Sequence, residues 1–289
     1  RLSETRQVEY ACWGEEIEDG AHQPRRNACR LPVSVAAALM PDAHVGYGLP
    51  LGGVLATGNP VIPYAVGVDI ACRVMLSVFD LPASEARRDE QRYASIIEDC
   101  TLFGVGKGFR GGDRAQNAVM DEDWSVSPVT LANRDKAWEQ LGTSGSGNHF
   151  VEFGEFEAGP NARGVPEGRF LAVVSHSGSR GTGAAVCDHY SKLSMSLHPD
   201  LPKELKHLAW LPLAGEGSAA GQEYWAAMEL MGMYASANHH VIHSKIVGAV
   251  GAPVRIQVEN HHNFAWKETH AGKEVIVHRK GATPAGAGV

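Results

Sequence analysis

Residues 66–80 read Val-Gly-Val-Asp-Ile-Ala-Cys-Arg-Val-Met-Leu-Ser-Val-Phe-Asp. The second half, 73–80, is dense in β formers and is expected to be a strand. The first half is a loop that sets Asp69 and Cys72 directly in front of that strand. A carboxylate and a thiolate three residues apart can face one centre from a single turn, which suits a divalent metal. A buried free Cys beside a capping Asp is the competing reading.

Working outward, 84–100 is expected to be a helix with Ser84 as its N-cap. A glycine-rich, then charged, surface loop follows at 104–125, and a helix at 129–141. A strand is expected at 149–153 and another at 169–175, with a helix from about 182. The Pro-rich stretch 199–218 reads as a loop with a short helix, and 220–248 as one long helix. Further strands fall at 254–258 and 274–278. Upstream, the apolar segment 35–40 leads into a Gly-rich stretch, 42–53, and then into an apolar run, 61–72. Strands and helices alternate irregularly and no linker interrupts them. The expected fold class is α+β (mixed α/β), central β-sheets flanked by helices in one intertwined body.

Of the 289 residues 44% are apolar and 20% charged, which excludes a wholly disordered chain. No apolar run reaches the length of a spanning helix, so no membrane partner is expected. The net charge of −7 argues against a broadly basic nucleic-acid coat but leaves room for a local groove. Five widely spaced Cys read as free thiols in a reducing compartment. With no leader pattern visible, a cytoplasmic location is expected. The 14 His and 33 Gly gather in a few motifs, so the chemistry is sought there.

Three more segments repeat the pattern of a ligand-type residue among small residues at a strand end, where functional side chains concentrate. In Gly147-Asn148-His149-Phe150-Val151-Glu152 a Gly-rich turn precedes a His, and alternation puts Asn148, Phe150 and Glu152 on one face. In His176-Ser-Gly-Ser-Arg180-Gly a strand-to-helix turn offers amides, hydroxyls and a guanidinium, a phosphate cradle. It lacks the Gly-Lys-Ser/Thr of a P-loop and the G-x-S-x-G elbow of a serine hydrolase. In Glu259-Asn-His261-His262-Asn263 two adjacent His cannot both face one centre, so one ligates and the other packs. His239 and His243 share a helix face, but without the Glu of H-E-x-x-H they read as packing or surface residues. One thiolate, three imidazoles and a carboxylate exceed a single tetrahedral shell and could serve two metals. Ligand softness alone favours Zn²⁺ or another later first-row ion. From the residues alone the reading stops at a metal-dependent enzyme acting on phosphates or a nucleotide.

Six motifs in order carry a resemblance: Met40-Pro-Asp42-Ala-His44-Val-Gly-Tyr-Gly, Val66-Gly-Val-Asp69-Ile-Ala-Cys72, Gly147-Asn148-His149-Phe150, His176-Ser-Gly-Ser-Arg180-Gly, His262-Asn263 and His278-Arg-Lys280-Gly-Ala-Thr283. The chain resembles the RtcB family of RNA ligases over nearly its whole length. The resemblance implies an RtcB-like fold and a Mn²⁺- and GTP-dependent ligase joining RNA 2′,3′-cyclic phosphate or 3′-phosphate ends to 5′-hydroxyl ends, in tRNA splicing or RNA repair. It implies a guanylylated-histidine intermediate, with tRNA halves or broken RNA as partners. Carried over by motif, Cys72 would bridge two Mn²⁺, with Asp69, His149, His176 and His262 as further ligands. Asn148 and Asn263 would hold the GMP phosphate, Glu152 would read the guanine edge, and Phe150 would join them in the nucleotide site. Arg180 and Asp42 would act near the reacting phosphates, and Lys280 would contact RNA or nucleotide phosphate. A metal-dependent cyclic phosphodiesterase that does not ligate is the alternative.

The sequence departs from the family pattern in several places. Arg73 stands where Gly is expected after the Cys, and Gly142-Thr-Ser-Gly-Ser-Gly147 where Gly-Thr-Leu-Gly-Gly-Gly is expected. Ala237-Asn238-His239-His240 replaces a motif that usually continues Asn-Arg. The family's guanylylated His lies in a His-Gly-Ala-Gly-Arg segment beyond Lys280-Gly-Ala-Thr283. Residues 1–289 contain no such segment, so the expectation is a single catalytic domain lacking the family's C-terminal part, and no nucleophile is named.

Overall fold

The computed structural model describes residues 8, 10–15, 17–160, 162 and 164–285. Their strands form two sheets. One takes β1 (Tyr10–Cys12), β2 (Ser34–His44) and β3 (Leu51–Thr57), and completes itself with two much later strands. The other is built from β4 (Arg73–Pro82), β5 (Phe150–Ala158), β6 (Gly168–Ser177) and β7 (Val254–His261), ordered β5-β6-β4-β7 and antiparallel throughout. The chain then returns to the first sheet as β8 (Asn263–His270) and β9 (Lys273–Lys280), giving the order β1-β2-β3-β9-β8. The helices are α1 (Asp19–Cys29), α2 (Pro63–Val66), α3 (Ser84–Arg88), α4 (Glu90–Cys100), α5 (Pro128–Ala132), α6 (Arg134–Gln140), α7 (Arg180–Leu197) and α8 (Ala219–Val250). The fold is α+β.

The chain thus passes between the sheets twice, through residues 58–72 and through His262. Both passages hold residues expected in the site. They are clasped by main-chain bonds: Ala71 N donates to Asn263 O at 2.7 Å, and His262 N donates to Cys72 O at 2.9 Å.

The main core joins Tyr190 of α7 and Tyr224 and Tyr234 of α8 to Ala265 and Ile276 of the first sheet. A second cluster packs Ile242 and Ile246 of α8 with Tyr93 of α4 against Phe79, Val151, Leu171 and Val173 of the second sheet. Between these apolar contacts α8 also buries Asn238, His239 and His243 completely. Such polar groups are mostly bonded when buried, although His239 Nε2 has no partner among the described residues. Ser175 Oγ lies 2.6 Å from His239 Nδ1 and 2.7 Å from His243 Nε2, and Ser77 Oγ lies 2.7 Å from His243 Nδ1. The two histidines are therefore packing residues.

The differences from the sequence expectation have local causes. The helix expected over 84–100 divides at Asp89, whose carboxylate accepts from Arg92 N and caps α4, while Ser84 caps nothing. Such a cap contributes about 1 kcal/mol. The helix expected over 129–141 divides at Asn133, whose side-chain amide donates to Val129 O, an alternative to continuing the helix. Strands β2 and β3 lie in Ala- and Gly-rich sequence with low strand propensity, and are made by pairing with each other and with β9. Helix α1 is hidden in the sequence by the internal Pro24.

Burial lowers the pKa of His239 to about 3 and those of His243 and His278 to about 4. His278 is held neutral between Ile62 N and Leu55 O. An unfolded chain takes up these protons near pH 6.5, the folded chain only well below it. Stability is therefore full above pH 6.5 and falls as the pH drops toward 4, by about 1.4 kcal/mol per pH unit for each such histidine. Urea unfolding between pH 7 and about 5, above most carboxylate titration, should show that decline; a flat profile would contradict the buried neutral histidines.

Candidate metal centre

Asp69 and Cys72 lie on the first passage between the sheets, His149 on the Gly-rich turn before β5, His176 near the end of β6, and His262 on the second passage. The fold brings all five together. Cys72 Sγ lies 3.4 Å from His149 Nε2 and 3.1 Å from His176 Nε2. These three donor atoms lie within 4.8 Å of one another. His262 Nε2 is 3.2 Å from His176 Nε2, and Asp69 Oδ2 is 2.8 Å from His149 Nε2. His261 points elsewhere and stacks on Trp266 at 5.1 Å. Of the adjacent pair, His262 faces the centre and His261 packs.

The centre is braced from behind. Asp69 Oδ1 accepts from Ser179 N at 3.0 Å, and His176 Nδ1 bonds Asn148 O at 2.9 Å. Arg180 Nη1 lies 3.0 Å from His149 Nδ1, and Arg180 Nε donates to Thr143 Oγ1 at 3.3 Å. Partners of this kind fix the orientation of ligating rings. Close approach explains two glycines: a Cβ on Gly145 would overlap the Arg180 guanidinium, and one on Gly178 would overlap the Asp69 carboxylate. Ala71 and Arg180 have φ of 59° and 56°, a left-handed conformation that costs a non-glycine residue about 1–2 kcal/mol. Both strained residues flank the cluster.

The electrostatics fit a cation. Burial raises the Asp69 pKa, but the hydrogen bond and charge of His149, with Cys72 and Arg180, bring it below the ordinary value. Burial and then the Asp69 charge push the Cys72 thiol well up. Burial lowers His176, and lowers His262 to about 4, so both imidazoles are neutral, the form that ligates metals. Asp69 Oδ2 is buried without an aligned donor. A thiol, neutral imidazoles and an unsatisfied carboxylate oxygen converging on one point suit a divalent metal, whose charge would ionise the thiol.

The remaining expected residues lie as follows. Phe150 and Glu152 project from the same face of β5, both exposed, with the Phe150 ring 5.6 Å from that of His176. In register with them are Val74 and Leu76 of β4, and Val258 of β7 extends the row. At 37% and 49% exposure Val74 and Val258 show that this sheet face is open next to the centre. Asn148 is exposed at the rim. The Asn263 amide is engaged at both ends, donating to Asp69 O at 3.3 Å and accepting from Gly281 N at 2.8 Å. Asp42 is exposed on β2. Lys280 is buried, its Nζ donating to Tyr47 O at 2.6 Å, and burial lowers its pKa to about 8. Neither Asp42 nor Lys280 touches the cluster.

The profile described as tRNA-splicing ligase RtcB matches residues 25–127 and 114–289. The chain belongs to the RtcB family. It is 30% identical over 307 residues to the RNA-splicing ligase RtcB of Escherichia coli K12, covering 95% of this chain and 71% of that protein. It is 30% identical over 327 residues to the tRNA-splicing ligase RtcB of Archaeoglobus fulgidus, covering 93% of this chain and 66% of that one. The RNA-splicing ligase RtcB of Mycobacterium tuberculosis is 30% identical over 314 residues, covering 89% and 70%. Against the RtcB pattern, the Arg73 departure has a structural answer. Its guanidinium turns away from the centre, to Glu259 at 3.2 Å and Gly232 O at 3.0 Å. Sequence reasoning missed the bracing residues Thr143 and Ser179. The small residues around them announced a tight turn, not which hydroxyl would bond what.

Cys72→Ala should leave the chain folded and abolish stoichiometric Mn²⁺ binding in equilibrium dialysis; retained stoichiometric metal would remove Cys72 from the ligand set. Gly145→Ala should displace Arg180 from His149 and weaken metal binding by about 10–100-fold, the usual cost of losing such a partner.

Proposed function

We propose that this chain carries the metal- and nucleotide-binding body of an RNA ligase that joins RNA 2′,3′-cyclic phosphate or 3′-phosphate ends to 5′-hydroxyl ends, using Mn²⁺ and GTP. The observation that carries this reading is the convergence of Asp69, Cys72, His149, His176 and His262 beside the open face bearing Phe150 and Glu152. Membership of the RtcB family, whose relatives are named RNA- and tRNA-splicing ligases, supplies the reaction class. Softness favours a later metal, but geometry and availability override raw affinity, and the family reading is Mn²⁺. Bound there, the metal would stabilise charge on phosphoryl oxygens.

The chain's own residues bind and orient. Phe150 offers a ring face and Glu152 a carboxylate acceptor for guanine, and Asn148 a side chain at the rim for the nucleotide phosphate. Asn263, the other proposed phosphate contact, has its amide spent on Asp69 O and Gly281 N, so in this reading it shapes the floor unless nucleotide displaces one of them. Arg180, held over the turn by Thr143, is a fixed positive charge beside the ligands, where a phosphate's negative charge would fall. The family resemblance further implies that a histidine would attack the GTP α-phosphate with release of pyrophosphate, that the GMP would pass to the RNA 3′-phosphate, and that the 5′-hydroxyl would displace it as free GMP. Asp42 and Lys280 are proposed to act on the RNA side of the site.

The test incubates the chain with an RNA strand ending in 2′,3′-cyclic phosphate and one beginning in 5′-hydroxyl. A joined product that requires both Mn²⁺ and GTP is expected from protein that carries the family's His-Gly-Ala-Gly-Arg segment together with residues 1–289. Opening of the cyclic phosphate without GTP and without joining would replace the ligase by a metal-dependent phosphodiesterase. Binding without turnover of either kind by that protein would leave a non-catalytic metal- or RNA-binding protein.

A further inference from the structure

We propose that Asn238, on α8, is the positioning residue that sets the spacing of His149 and His176 around Cys72. The inference rests on the metal-centre reading above. Asn238 is fully buried in the middle of α8. A helix interior disfavours Asn, and a buried amide is costly unless every polar atom is bonded. Here every one is. Oδ1 accepts from Gly142 N at 2.7 Å; Nδ2 donates to Thr143 O at 3.1 Å and to Ser177 Oγ at 3.2 Å.

Those three partners belong to the two segments that hold the ligands. Gly142 and Thr143 open the turn that ends in His149, and Ser177 follows His176. The turn is permissive: Gly142, Gly145 and Gly147 all have positive φ, at 86°, 97° and 79°. Pairing with β6 fixes its far end at Phe150. Asn238 fixes its near end and grips the same β6 terminus through Ser177, whose hydroxyl donates to Ser144 O at 2.8 Å. A second route reaches the ring itself: Thr143 takes the Arg180 Nε bond, and Arg180 Nη1 lies against His149 Nδ1. One amide on a rigid helix thus sets the base of the turn, the end of the strand and the guanidinium between them.

The test measures Mn²⁺ affinity, and the visible spectrum of the Co²⁺-loaded protein, for the full chain and three variants. Asn238→Asp keeps the acceptor for Gly142 N but removes both donated bonds. It should bind Mn²⁺ at least about tenfold more weakly and alter the Co²⁺ d–d bands. Ser177→Ala breaks one of the three Asn238 bonds, together with the bond from Ser177 Oγ to Ser144 O, and should give a smaller change of the same kind. It also carries the test if Asn238→Asp does not fold. Tyr234→Phe, on the same helix, loses the buried bond to Ala137 O and serves as the stability control; it should keep wild-type affinity and spectrum. Wild-type affinity and d–d bands in Asn238→Asp, or in Ser177→Ala should it stand alone, would overturn the proposal. So would an equal loss in Tyr234→Phe, which would mark general destabilisation. Failure of the unmodified chain to bind either ion would instead overturn the metal-centre reading beneath it.

Discussion

Two main-chain hydrogen bonds, Ala71 N to Asn263 O and His262 N to Cys72 O, hold together the two places where the chain changes sheets. Without them Asp69 and Cys72 would sit on one mobile connection and His262 on another. With them, three of the five donors ride on a single clasp, and the second sheet delivers the other two from the β5 and β6 side. The unusual conformation of Ala71 follows from this constraint. The turn must tighten to present its amide to Asn263 and its thiol to the rings, and a left-handed residue does both.

The cluster so formed is electrostatically unfinished. A carboxylate held ionised and a thiol held protonated share a desolvated site with neutral imidazoles whose lone pairs point inward. Arg180 supplies the nearest positive charge, but it reaches the outer nitrogen of His149 and not the carboxylate. Asp69, His149 and His176 are each held by a partner on the far side, Ser179 N, Arg180 and Asn148 O, and so cannot turn away. A site built in this way costs stability unless a cation is bound.

Much of the site was legible in the sequence because its residues advertise themselves: His, Cys and Asp beside glycines at strand ends are rare unless they do something. The choice between His261 and His262 was not, since alternation says only that the two diverge; the stacking of His261 on Trp266 decides it. Strand β8 was overlooked for a related reason. Phe264-Ala-Trp-Lys-Glu runs from three apolar residues into two charged ones without clean alternation, and it begins one residue after a ligand. Strands β2 and β3 carried no local signal, since Ala and Gly become strand residues there only through their neighbours. Asn238 stood out only as part of a departure from the family motif: one polar residue among several on α8 gives no hint of which distant main-chain groups it will meet.

The interleaving of the two sheets also sets a schedule. The second sheet is contiguous in sequence between Arg73 and His261, whereas the first is split around it, with β9 joining the free edge of β3. As the chain emerges from the ribosome, the sheet begun first is the one finished last. Until residues 273–280 arrive, β3 waits with an open hydrogen-bonding edge, the kind of edge that invites mispairing. The seam between the sheets, where the five donors meet, gains its last braces only then, when Gly281 N reaches Asn263 Oδ1 and Ala282 N reaches His262 O.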